Sequence, residues 1–338
     1  MNTPKKILLL YKNQTLSKVF EENLRQEGYS IEVFFKENFE NNQLNLLQKT
    51  INIFYRLILK DNSYPLKANE INFRKFCKKS LRKIQGKKFD FCLAIRGDLL
   101  PEFVLKSAQK KCNKLIGFQL DGISVSKRIL HFRKYFDELF VFDPDDEKKY
   151  KEYKLTFLPN CYFGETNFEN QETLDFLYIG QFLEERQAKL FSLHHFLKKN
   201  NISYTSHTSL YSIRPFIPDH KNILNHNNST SYLENIEWVK KSKIIIDFKR
   251  EEHHGLSLRF FEAMQFGKKI ITNNPSVRNY DFYHPDNIYI TDFKNFEGLK
   301  AFIERPHKKI DPKITEKYSF KNWIKTILNE QKKHSDDS

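Results

Sequence analysis

Arg259 and Glu262 stand three residues apart, so on a helix they share one face. A guanidinium next to a carboxylate can hold a phosphate with one group and sugar hydroxyls with the other. Just before them runs a polar stretch that includes Lys249, His254, Gly255, Leu256 and Ser257. Its cations and backbone amides suit an anion, because N–H groups at a helix start lack intrahelical partners and the helix dipole is positive there. The chemistry is recognition of a phosphorylated ligand, with neutralisation of the charge that builds on a phosphate leaving group. Glu251, Glu252, His253 and His254 are of metal-ligating type. Adjacent residues rarely converge on one ion without a partner cluster, so no metal is expected.

The elements that position these residues read as strand, loop, helix and strand. IIIDF (244–248) is a short β-branched run suited to a buried parallel strand. Ser257 is placed to cap a helix over 258–266, Gly267 to close it, and KKIITNN (268–274) to return as a strand. Such a βαβ unit sets polar residues at the carboxyl end of a strand, where open α/β sheets bind ligands.

Residues 255–272 read G-L-x-x-R-x-x-E-A-x-x-x-G-K-x-I-I-T. This pattern resembles the donor-site segment of GT-B-fold glycosyltransferases, in particular the bacterial enzymes of capsule and lipopolysaccharide assembly. The resemblance implies an α/β fold of two Rossmann-like, doubly wound domains facing a central cleft, with a C-terminal helix crossing back to the first domain. It also implies a glycosyltransferase that moves a sugar from a nucleotide-sugar, UDP- or GDP-linked, to a glycolipid or oligosaccharide acceptor at the inner membrane face. The acceptor would be a lipopolysaccharide or capsule precursor. Glu262 would then hold the ribose and Arg259 the diphosphate. Many retaining members carry Glu-x7-Glu; the second glutamate matches Glu262, and His254 stands where the first would fall. His254 is therefore a candidate both for donor binding and for catalysis. The segment Y-I-G followed by Arg186 resembles the first strand–helix turn of the donor domain, which adds Gly180 and Arg186 to the donor-binding candidates. With arginine, lysine and amides to neutralise the diphosphate, the transfer is expected to need neither metal nor cofactor.

The first half opens with KKILLLYK, a helical stretch and IEVFF, a strand–helix–strand start typical of a doubly wound domain. The glycine-rich dinucleotide fingerprint is absent from its first turn, which argues against a hydride-transfer enzyme. Later strands end in polar turns at Arg96-Gly97-Asp98 and Asp121-Gly122. A glycosyl acceptor needs a base for its hydroxyl proton. Asp121 and Asp98 are the candidates, with Arg96 beside them for acceptor binding, although Asp before Gly is also an ordinary turn residue. The expected organisation is an acceptor domain over 1–163, a nucleotide-sugar domain over 174–312 and a returning helix over 313–333. Residues 210–230, rich in Asn, His, Ser and Pro, read as a long loop.

The chain has 338 residues and a formal charge of +15, from 57 Lys and Arg against 42 Asp and Glu. That excess favours anionic partners. Twelve of the basic residues, against two acidic ones, fall in 44–88, where an amphipathic helix and a basic helix are expected as an insertion. This segment is a candidate for an anionic membrane surface. It carries no recognised nucleic-acid motif, and a nucleic-acid partner is not expected. Cys77, Cys92, Cys112 and Cys161 form no C-x-x-C pair, which points to reduced cytoplasmic thiols. No apolar stretch reaches membrane-spanning length, so a cytoplasmic protein, peripheral on the inner membrane, is expected. The competing reading is a non-catalytic, membrane-associated binding or scaffold protein of the same fold.

Overall fold

The computed structural model describes residues 3–37, 39, 44–166, 172–181, 183–211, 223–226 and 231–329. The chain divides into two compact units, residues 1–140 with 152–155, and residues 141–151 with 156–338.

The chain starts with β1 (Lys6–Tyr11), α1 (Gln14–Gln26) and β2 (Ser30–Val33). Asn13 caps α1 by accepting from the Leu16 amide, and Gly28 takes the left-handed conformation (φ +87°) that turns the chain into β2. Two helices follow, α2 (Leu46–Leu57) and α3 (Tyr64–Lys83). Then come β3 (Phe89–Ile95), α4 (Glu102–Gln109), β4 (Cys112–Gln119), α5 (Arg128–Phe132), β5 (Glu138–Val141), α6 (Pro144–Lys149) and β6 (Thr156–Phe157). The strands form one sheet in the order β2-β1-β3-β4-β5-β6. Ile7 lies opposite both Ile31 and Phe91 in parallel register, and Ile7 to Tyr11 are all buried. That is why β1 reads as an unbroken apolar run: both faces of a parallel strand are covered. Sheet order reverses between β1 and β3, so the carboxyl ends of these two strands form a topological switch point.

The second sheet is built from β7 (Leu174–Gln181), α7 (Glu184–Lys199), β8 (Ser206–Tyr211), β9 (Ile223–His226), α8 (Tyr232–Lys241), β10 (Ser242–Asp247), α9 (Leu258–Gln265), β11 (Lys269–Thr272) and β12 (Ile288–Ile290). It is followed by α10 (Leu299–Glu304), α11 (Pro312–Lys317) and α12 (Phe320–Ile327). Sheet order is β12-β11-β10-β7-β8-β9, and every neighbouring pair is parallel. Three strands run outward on each side of a reversal between β7 and β10, the doubly wound arrangement. Its core includes Phe176, Leu193, Ile244, Ile246 and Phe293. α12 joins this unit through residues 162–163: the Phe320 amide donates to the Tyr162 carbonyl at 3.0 Å, and the rings of Phe163 and Phe320 lie 5.4 Å apart.

Residues 210–230 are not one loop. β8 runs to Tyr211, and β9 pairs with it in parallel, Ser206 opposite Ile223 and Thr208 opposite Asn225. Residues 202–208 read as a strand and hold the start of β8, but the end of β8 and β9 fall in the stretch read as loop, where Ser, His and Asn leave no apolar periodicity. Residues 212–222 and 227–230 lie outside the described residues. Among the described residues, no helix is long and apolar enough to cross a membrane.

Gly117, central in β4, is a packing glycine. A Cβ there would stand 2.6 Å from Leu139 Cδ1 and 2.9 Å from Phe136 Cε1. Gly117→Ala is expected to cost about 1–3 kcal/mol through overpacking, readable as a lower urea midpoint with the fold retained.

Candidate functional site

In the second unit, the carboxyl end of β10 carries Asp247, a buried carboxylate. Ser257 Oγ donates to its Oδ1 at 2.6 Å, and Thr272 Oγ1, at the end of β11, lies 3.5 Å from its Oδ2. Burial pushes the Asp247 carboxyl above its ordinary range, against the Ser257 hydrogen bond and the charges of Arg186 and Arg259. Arg186 and Arg259 both lie near Asp247 at the β7–β10 switch point. Asp247 is a site residue that motif and spacing did not single out. The signal was present, as a lone acid closing an apolar strand.

Ser257 stands at the N-cap position of α9 with extended backbone, but its hydroxyl makes no cap bond. It is spent on Asp247, so α9 starts with its first amides uncapped by side chains, the correction to the expected Ser257 cap. Gly255 is required by close approach: a Cβ would lie 2.6 Å from the Phe142 carbonyl oxygen and from its ring. The adjoining loop is held by Asn160 Nδ2 donating to the Leu256 carbonyl at 2.9 Å and Asn274 Nδ2 to the Gly255 carbonyl at 3.3 Å. The Lys249 amide donates to Asn273 Oδ1 at 2.7 Å, tying the start of the same loop to the end of β11.

Arg259 and Glu262 share a face of α9, and Arg259 Nη1 donates to Glu262 Oε2. Glu262 is wholly buried, and its Oε1 has no hydrogen-bond partner among the described residues. The Tyr232 hydroxyl, also buried, lies beside the Glu262 carboxylate and is its nearby protein donor. Arg186 is also buried, with Nη2 3.5 Å from the Phe248 carbonyl. Gly180 has a structural reason: a Cβ there would meet the Tyr178 hydroxyl of its own strand at 2.5 Å. The space beside Gly180, a donor-binding candidate, is taken by that phenol.

His254 is tied to the start of α6. Its amide donates to Asp143 Oδ2 at 2.7 Å, and its Nδ1 lies 2.8 Å from Asp145 Oδ2. Candidate ligand atoms of Asp143, Asp145 and His254 thus fall within 4.8 Å of one another. Asp143 also accepts from the Asp145 amide as the cap of α6, so each member already has a protein partner.

In the first unit, Arg96 follows β3 at the β1–β3 switch point with left-handed backbone, φ +57°. Non-glycine residues seldom adopt this conformation, and it concentrates at functional sites. The guanidinium forks onto Asp98, with Nε to Oδ1 and Nη2 to Oδ2 both at 2.9 Å, and also pairs with Asp121. Asp98 is buried and accepts from Ser126 Oγ at 2.7 Å. Burial pushes its carboxyl up, but hydrogen bonds from Arg96 and Ser126 and the Arg96 charge outweigh burial and hold it below the usual range. A carboxylate so engaged is a poor proton acceptor. Asp121 keeps 30% of its side chain exposed and is the more available of the pair.

A cavity of about 250 Å³ opens at the opposite end of the second sheet, among Asp175, Lys243, Lys269 and His307. It lies where the strands begin, away from the ligand-binding edge of an open α/β sheet.

The sequence matches no protein-family model and no curated protein. Solved structures match over nearly the whole chain. A sucrose-phosphate synthase from Thermosynechococcus elongatus aligns with TM-score 0.55 and 8% identity, over 99% of this chain and 100% of that one. An alpha-glucosyltransferase in complex with UDP and DNA aligns with TM-score 0.54 and 11% identity, over 97% and 94%. A protein assigned as a UDP-N-acetylglucosamine 2-epimerase from Listeria monocytogenes aligns with TM-score 0.53 and 9% identity, over 99% and 98%. The chain adopts the α/β fold of the GT-B glycosyltransferases. At these identities, what is shared is the arrangement of the two parallel sheets.

The Asp98 pairing has a definite pH signature. Its folded pKa is depressed, so its contribution is complete above the unfolded value of about 3.9 and is lost as pH falls through the folded value. Asp98→Asn should lower stability by about 3 kcal/mol at neutral pH. The gap from the parent should close on acidification below about pH 4, as read by urea unfolding followed by circular dichroism at both pH values.

Proposed function

We propose that this protein is a glycosyltransferase that transfers a sugar from a UDP- or GDP-linked donor to a surface-glycan acceptor, a lipopolysaccharide or capsule precursor, at the inner membrane face. The observation that carries the reading is the convergence of Arg186, Arg259 and the uncapped start of α9 on the β7–β10 switch point. The solved neighbours include a glucosyltransferase bound to UDP, which supports a nucleotide-sugar.

In this reading the second unit holds the donor. Arg259, braced by Glu262, takes the diphosphate together with Lys249, Arg186 and the amides of Gly255, Leu256 and Ser257. Glu262 accepts from a ribose hydroxyl. As the glycosidic bond to the nucleotide breaks, negative charge grows on the diphosphate, and fixed cations and amides stabilise it without rearranging. The first unit takes the acceptor at its strand-end turns. Asp121 accepts the hydroxyl proton, while Arg96 orients it and Asp98 holds Arg96. His254 lines the donor loop from its anchorage on Asp143 and Asp145. The fixed cations give the leaving group its counter-charge, so the transfer is read as metal-independent and cofactor-free.

The second reading, a membrane-associated binding protein of this fold without turnover, draws on the basic segment 44–88. Donor turnover separates the two.

Ligand-dependent melting of the full chain is the direct test. UDP or GDP at about 100 times its dissociation constant should stabilise the protein by roughly 2.7 kcal/mol, and Arg259→Ala should weaken binding by about tenfold or more. Silence across UDP, GDP, CMP and their sugars would remove the donor site. Glu262→Gln should retain the fold and lose most transfer activity. Chelation by EDTA should leave transfer unchanged; loss of activity on chelation would move the diphosphate partner to Asp143, Asp145 and His254.

A further inference from the structure

α2 is an amphipathic helix mounted the wrong way round for a soluble domain. Its inward side is mixed, with Gln48 buried and Ile51, Asn52 and Tyr55 half-buried. Gln48 is buried and exchanges two side-chain hydrogen bonds with Asn72 of α3, at 3.0 and 3.1 Å. The same Gln48 completes a capping box with Asn45, which fixes where the helix starts. Tyr55 packs on Tyr64 with ring centroids 4.9 Å apart. The outward side is apolar. Leu46, Leu47, Ile53, Phe54, Leu57 and Ile58 are each between 52% and 83% exposed. Leu46, Ile53, Phe54 and Leu57 fall at i, i+7, i+8 and i+11 on one face, with Thr50 between them. A helix that only shielded a core would turn this stripe inward. Instead it is held outward by specific polar contacts on the opposite side.

Charge identifies the occupant. Residues 44–60 contain no acidic side chain. Lys49 and Arg56 are seven residues apart, two turns along one flank of the stripe, and Lys60 follows just past the helix end. All three are exposed, and among the described residues none is paired with a carboxylate. On α3, Lys75 and Lys78 are exposed as well, whereas Arg74 lies over the Phe103 ring of α4. An apolar stripe bordered by cations is complementary to acyl chains beneath anionic headgroups. A protein partner would have to match both an apolar stripe and a basic flank, whereas an anionic bilayer offers both everywhere on its surface.

We propose that α2 lies in the headgroup layer of an anionic lipid bilayer, with Leu46, Leu47, Ile53, Phe54, Leu57 and Ile58 inserted and Lys49, Arg56 and Lys60 on lipid phosphates. This assignment rests on the membrane-facing part of the function proposed above but does not depend on sugar transfer. It names the docking element, its insertion face and the lipid charge it requires.

The test is flotation of the full chain with phosphatidylcholine vesicles, with and without phosphatidylglycerol, alongside Phe54→Trp fluorescence. The protein should float only with anionic vesicles, and the introduced indole should shift to shorter wavelength on binding. Replacing Lys49, Arg56 and Lys60 together by Gln should weaken partitioning roughly 100-fold, at about fivefold per cation. Replacing Leu47, Phe54 and Leu57 together by Ser should weaken it at least as much, with unchanged melting because these side chains are exposed. No flotation, or equal flotation of the variants, overturns the proposal. So does sedimentation showing a dimer that the Ser variant abolishes, because a second copy would then cover the stripe. Nucleotide binding measured on the same variants separates the two sites: vesicle binding lost with nucleotide binding intact places the change in α2, whereas vesicle binding without any nucleotide binding removes the donor site alone.

Discussion

The burial of Asp247 at the end of β10 constrains most of the candidate site. A buried carboxylate must be answered by donors and positive charge, or it costs several kcal/mol. Here the answers come from Ser257, Thr272, Arg186 and Arg259, which sit on different elements. Meeting that single demand draws the loop after β10 back over its own strand, brings the start of α9 to the sheet edge, and aligns two arginines. Because Ser257 is spent on Asp247, the amides at the start of α9 stay uncapped by side chains.

The first sheet solves a similar problem with the signs exchanged. Arg96 stands at its switch point in a backbone conformation that costs about 1–3 kcal/mol, and two aspartates hold it there. Asp98 is buried and fully engaged, whereas Asp121 remains partly open. Both carboxylates pair with the same arginine, one from within the fold and the other from its surface.

α2 is the counter-case to burial as the organising force. Its register is set by the Gln48–Asn72 amide pair and the Asn45 cap, polar contacts of modest net worth. Those contacts prevail over apolar burial on that helix. Such an arrangement persists when exposing the apolar face serves a partner, the usual meaning of large exposed apolar patches.

Periodicity and punctuation were enough to read both doubly wound halves, since buried parallel strands such as β1 and β10 announce themselves as apolar runs and Gly267 marks a helix end. They were also enough to bring Arg259, Glu262 and the Gly255–Ser257 loop together, because these residues are near neighbours in sequence. The start of β8 was legible within 202–208, but its end and the edge strand β9 escaped, because a polar edge strand carries no burial pattern. Asp247 as a focus, the tie of His254 to Asp143 and Asp145, the space beside Gly180 filled by Tyr178, and the outward face of α2 were decided only by tertiary structure. Local pattern fixes which residues can share a face. Which charges must satisfy one another, and which face turns to solvent, depends on groups far apart in the chain that only packing brings within reach.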